Sequence, residues 1–133
     1  MPETLIRSRT NPLVKRLRAL KERGGGGALA LLEGFTLVEE ALRAGVGVVE
    51  AAVTPAAAEG PRGADLVRRL AGQGVPVRHV EAAVLASLSE AETSQGLVAL
   101  ARRPSFDESA IYRGQPLIVV AASLQNPGNV GAL

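Results

Sequence analysis

Between residues 28 and 101, apolar runs of strand length alternate with segments of helical period, and this alternation constrains the fold most. "ALALLEG" (28–34), "VGVVEAAV" (46–53), "VPVRHV" (75–80) and "QGLVALA" (95–101) read as short buried strands. "FTLVEEALRAG" (35–45), "ADLVRRLAGQG" (64–74) and "EAAVLASLS" (81–89) read as helices, the first two closed by Gly45 and Gly74. Residues 55–63 read as loop. Strands and helices in turn require a parallel or mixed sheet covered on both faces, so the fold class is α/β, a small α/β/α sandwich. The available side chains agree. Apolar residues make up 47% of the chain and aromatics 2%, which suits a core of small aliphatic groups between helices and sheet.

The flanks differ from this middle. Asn11-Pro12 marks a helix start, with Asn as N-cap and Pro at the first helical position. Leu13, Leu17 and Leu20 then form one apolar stripe, so the helix is expected to dock by its leucines and turn its cations outward. Residues 1–23 hold seven of the 15 Lys and Arg residues (Arg7, Arg9, Lys15, Arg16, Arg18, Lys21, Arg23) against two of the 13 acids, Glu3 and Glu22. A basic segment on a mildly acidic body suggests contact with phosphates, although a solvated helix face gives the same pattern. The glycines at 24–27 read as a hinge. After the fourth strand, "RRPSFDESAIYRGQP" turns polar and aperiodic, and a linker is expected over 104–116. A fifth strand, "LIVVAA" (117–122), then runs into "SLQNPGNVGAL". The expected organisation is a basic helix and hinge (1–27), a small α/β domain (28–103), a linker, and the start of a second α/β domain (117–133).

Several classes are excluded or disfavoured. There is no cysteine, so disulfides and thiolate metal sites are impossible. "MPETLIRSRTNP" has no apolar core of a signal peptide, and no apolar run reaches the roughly 20 residues a membrane span needs. A cytoplasmic protein without metal or membrane partner is the expectation. His79, the lone histidine, has no metal-ligand spacing around it. Glu39-Glu40 reads as an exposed helix face, Glu33 as a loop anchor, and Ser94-Gln95 as a strand-entry turn. Tyr112 alone makes no stacking platform.

The C-terminal loop carries the most chemistry. Pro127-Gly128-Asn129 would lie at the carboxyl end of a strand, where open α/β sheets gather ligands. Gly131 permits close approach, and Asn129 offers donors and acceptors, although Pro-Gly-Asn is also ordinary turn chemistry. Neither a dinucleotide fingerprint nor a phosphate-loop motif is present.

"SLQNPGNVGAL" resembles the first signature of the SpoU/TrmH family of RNA 2′-O-ribose methyltransferases, members of the SPOUT class, close to Q-[DN]-P-x-N-x-G-A. Three upstream stretches are similar to other family segments, in the same order. They are "IRSRTNPLVKRLRAL" with its Ser-x-x-Asn-Pro helix start, "LLEGFTLVEEALRAG", and "ETSQGLVALARRP". The match departs at the glycine run and at "TSQG", which lacks a Pro often found before Gln.

The resemblance implies a ribosomal-protein-like domain that grips RNA, followed by the first strand of a knotted catalytic domain that binds S-adenosylmethionine and dimerises. It further implies that the chain stops within the first catalytic motif, two positions short of the family's Arg, and is inactive alone. Asn129 would orient that Arg or an RNA phosphate. Arg7, Arg9, Asn11, Lys15, Arg16, Arg18 and Arg23 would hold ribosomal or transfer RNA, mainly by its phosphates. The rival readings are a non-catalytic RNA-binding module and a small nucleotide-binding α/β protein.

Overall fold

The computed structural model describes residues 4–23, 27–89 and 94–132. Asn11 opens helix α1 (Pro12–Glu22) by accepting the Leu13 N–H at 2.9 Å, with Pro12 where the helix has no use for an N–H. Strand β1 (Leu29–Glu33), helix α2 (Phe35–Arg43) and strand β2 (Val48–Val53) follow. The stretch 55–63, expected as loop, instead holds a short helix α3 (Pro55–Glu59) and the first turn of α4 (Pro61–Gly72). Two proline starts explain the difference. Thr54 caps α3, its hydroxyl accepting the Ala57 N–H at 3.3 Å, and each proline takes a first helical position. Strand β3 (Val77–His79), helix α5 (Ala82–Ala86) and strand β4 (Leu97–Arg102) complete the sandwich, α5 being shorter than the segment 81–89 expected for it.

The sheet is mixed, in the order β1-β4-β2-β3. β4 arrives last and inserts at the centre, antiparallel to both β1 and β2, while β2 and β3 run parallel. Beyond β3 the N-terminal segment adds one parallel bridge. The Ile6 N–H donates to the His79 carbonyl at 2.8 Å, and the Glu81 N–H donates to the Ile6 carbonyl at 2.9 Å.

β4 is buried on both faces. Leu97 and Ala99 pack with Val38 and Leu42 of α2 and Leu66 and Leu70 of α4. Val98 and Leu100 pack with Leu13, Val14 and Leu17 of α1 and with Val84, Leu85 and Leu88 in and after α5. The expected helices therefore do lie on both faces, and α1 is one of the covering layers. Val14, outside the leucine stripe, is fully buried, whereas Leu20 is only partly so.

Every described residue from 102 to 132 is exposed. Within the expected linker a 3-10 turn (Glu108–Tyr112) starts at Asp107, whose carboxylate accepts the Ser109 N–H at 3.0 Å. Residues 117–122, expected as a strand, make no ladder among the described residues; an extended run without a paired neighbour has nothing to complete its hydrogen bonds. Pro127-Gly128-Asn129 is not a free turn. It begins helix α6 (Pro127–Gly131), capped by Asn126 accepting the Gly128 N–H at 2.8 Å. Residues 24–26 of the expected hinge lie outside the described residues.

Leu17→Ala tests whether α1 is a structural layer. Leu17 is 1% exposed, and the cavity should lower the unfolding free energy by about 2–5 kcal/mol in urea denaturation. A helix merely tethered to the sandwich would leave stability unchanged.

Candidate nucleic-acid interface

The leucine seam of α1 dictates where its cations point. With Leu13, Val14 and Leu17 against the sheet, helical periodicity turns Lys15 to the opposite side and sets Arg18 on one flank and Arg16 with Arg23, one heptad apart, on the other. Lys15, Arg16 and Arg23 are exposed and Arg18 is half-buried. Arg7 and Arg9, also exposed, sit on the stretch joining the Ile6 bridge to the Asn11 cap. The structure thus gathers six of the expected RNA-binding residues on α1 and the segment that leads into it. Asn11 differs from them, because its carboxamide oxygen is spent on the helix cap. Lys21 is also set apart: its ammonium donates to the Ser89 carbonyl at 2.9 Å and ties α1 to the end of the α5 region.

Arg16 is not a simple solvent-facing cation. Its guanidinium pairs with Glu50 of β2, and the other Glu50 oxygen lies 3.5 Å from Nε of Arg78 on β3. A register shift between Val48 and Glu50 on the ladder to β4 sets Glu50 opposite Leu100, whose side chain faces α1, and so aims the carboxylate at that helix. Neither Glu50 nor Arg78 was singled out from sequence. No local pattern links them to residue 16; only the sheet does. Arg7, Arg9, Lys15, Arg18 and Arg23 make no ion pair among the described residues.

Between these groups lies a cleft of about 590 Å³, walled by Ile6, Asn11, Leu13 and Arg16 on one side and by Glu50, Val77 and Arg78 on the other. A second hollow of about 440 Å³ lies by α3 and α4, lined by Pro55, Ala58, Val67 and Arg68 among others.

At the opposite ends of the strands, Gly34 and Gln95 serve structure. Gln95 reaches across from the start of β4, and its side-chain oxygen accepts the Phe35 N–H at 3.0 Å, capping α2 from outside its own chain segment. Gly34, at φ +85, leaves room for that amide, since a Cβ there would stand 2.8 Å from Gln95 Oε1. Gly96, at φ +77, is pressed likewise against Thr54 Oγ1, 2.6 Å from where a Cβ would lie. The two similar-looking motifs "EGF" and "SQG" therefore meet in space. Glu33 accepts a hydrogen bond from the Ser89 hydroxyl and anchors that loop, as its position before Gly34 suggested. Glu39 is held below the usual carboxylate range, chiefly by its hydrogen bond from Arg62, which also stacks over the Phe35 ring at 5.3 Å. That contribution is present at neutral pH and is lost as pH falls through the lowered value; solvent screens it, since the pair is exposed.

The sequence profile described as "RNA 2′-O ribose methyltransferase substrate binding", SpoU_sub_bind, matches residues 31–106. The chain belongs to this SpoU family. A solved RNA 2′-O ribose methyltransferase is similar to it at 35% identity and TM-score 0.73, over 97% of this chain and 49% of that one. An rRNA methyltransferase from Sinorhizobium meliloti is similar at 22% identity and TM-score 0.62, over 76% of this chain and 37% of that one, and so speaks for the fold alone. The same holds for its AdoMet-bound form, at TM-score 0.60. The chain spans about half the length of the first of these and less of the others. Comparison with curated protein sequences gives no match.

The SpoU profile ends in the exposed segment after β4, so Asn129 lies beyond it, in α6. Asn129 is exposed, and its N–H donates to the Asn126 carbonyl at 3.0 Å. No described helix is long and apolar enough to cross a membrane, and no described cluster of His, Asp and Glu side chains could hold a metal ion.

Gln95→Ala should remove the cap on α2. The expected loss is about 1–2 kcal/mol of stability, with faster hydrogen exchange at the Phe35 amide as the local signature.

Proposed function

We propose that this SpoU region delivers RNA, ribosomal or transfer, to a 2′-O-methyltransferase that uses S-adenosylmethionine, and that α1 with its leading segment is the RNA-gripping face. The observation that carries this reading is the fixed display of Lys15, Arg18 and Arg23, with Arg7 and Arg9 beside them, on a helix whose other side is buried in the core. A cationic face held by a packed seam meets a phosphate backbone without first having to be ordered, and phosphate contacts set grip and register rather than sequence. RNA shape and unstacked bases would supply selectivity.

The chemistry itself belongs to the intact protein, which we take to be a homodimer. When bound, S-adenosylmethionine supplies the methyl group. The residues of 117–132 line neither of the two clefts and are exposed, so they form no enclosed site that fits that group. Asn129 is assigned a positioning role toward the ribose or its phosphate.

The test is RNA binding as a function of salt. Lys15→Glu with Arg18→Glu should weaken binding to an RNA fragment at least about tenfold at low salt. The slope of log affinity against log salt should flatten by about 1–2, roughly one for each phosphate no longer neutralised. Unchanged affinity and slope would refute α1 as the gripping face.

A further inference from the structure

The cleft beside α1 is a built feature, and the phosphate-gripping face does not account for it. Its walls are fixed by backbone and cap hydrogen bonds. Ile6 is stitched to His79 and Glu81, the turn through Ser8 and Thr10 is closed by the Asn11 N–H donating to the Ser8 carbonyl at 3.2 Å, and Asn11 caps the helix that carries Arg16. Opposite, the register shift in β2 aims Glu50 toward α1, where one carboxylate meets two guanidiniums, Arg16 and Arg78. Two cations on one acid leave a net positive charge at the wall. The Glu50 side chain is 16% exposed, against 46% for Arg16 and 58% for Arg78, so the acid sits inside and the cations face outward.

The remaining lining is mixed: Ile6, Pro12, Leu13 and Val77 supply aliphatic surface, beside the polar Thr4, Asn11 and His79. Guanidiniums at one wall and aliphatic surface beside them match the two ends of a nucleotide, an anionic phosphate and a flat, largely apolar base. A volume of about 590 Å³ falls within the ~300–1,000 Å³ that small-molecule-sized ligands occupy. A double helix has no group that enters such a recess, because its bases are stacked and paired.

We propose that this cleft seats one unstacked nucleotide of single-stranded RNA, its phosphate on Arg16 and Arg78 and its base against Pro12, Leu13 and Val77. This rests on the RNA-binding reading and deepens it: α1 grips the backbone, and the cleft selects strands with a base free to leave the stack. Arg78, on a strand away from the cationic helix, becomes a specificity-determining residue. Glu50 orients both guanidiniums and competes with the incoming phosphate.

The experiment is an NMR titration of the 133-residue chain with uridine 5′-monophosphate, with a single-stranded oligouridylate and with a blunt RNA duplex. Both single-stranded probes should shift the amides of Ile6, Leu13, Val77 and Arg78, and the duplex should not. Arg78→Ala should weaken the oligouridylate about tenfold, the worth of one charge-assisted phosphate interaction, and lower the salt slope by about 1. Glu50→Gln should tighten uridine monophosphate at least twofold, an effect that a merely structural ion pair would not produce. Oligouridylate that binds through Lys15 and Arg18 while the cleft amides stay still overturns the cleft assignment and leaves the RNA-binding reading intact. Failure of single strand and duplex alike to bind overturns both.

Discussion

A strand buried on both faces cannot leave either face to water, and β4 imposes that condition on this molecule. Val98 and Leu100 look one way and Leu97 and Ala99 the other, all essentially inaccessible. α2 and α4 cover one side. On the other, α5 is five residues long, too short to cover the sheet. The leucine and valine seam of α1 supplies the rest. The demand for a second layer is thus what fixes a cationic helix against the domain.

That arrangement couples stability to recognition. The residues that hold α1, Leu13, Val14 and Leu17, are interleaved in sequence with Lys15 and Arg16, which face outward, and Arg18, which is half-buried on the flank. Order in one set imposes order on the other, and a rigid cationic surface forfeits less entropy on meeting a polyanion than a flexible arm does. The same docking brings Arg16 to Glu50 and Arg78, so a wall of the cleft forms as a by-product of covering the sheet.

Much of this was legible in the sequence. The period-2 and period-3.6 alternation gave the sandwich, Asn11-Pro12 gave the start of α1, and the quoted motifs gave the family. What escaped depends on interactions between segments remote in the chain. α3 was hidden because Thr54 and Pro55 look like loop residues until the cap is seen. Gln95 looked like a turn residue because its target, the Phe35 N–H, is remote in sequence. Glu50 and Arg78 carry no motif, and only the register shift and the β2–β3 pairing bring them to Arg16. The run at 117–122 has strand composition, but composition cannot provide a neighbouring strand.

The account depends most on α1 being welded to the sheet rather than hung beside it. Native-state hydrogen exchange addresses this directly. If the helix is a layer of the core, the amides of Leu17 and Arg18 should exchange only through the global unfolding that also exposes Val98 and Leu100. If they exchange orders of magnitude faster while β4 stays protected, the helix opens on its own, and a rigidly presented RNA-gripping face is contradicted.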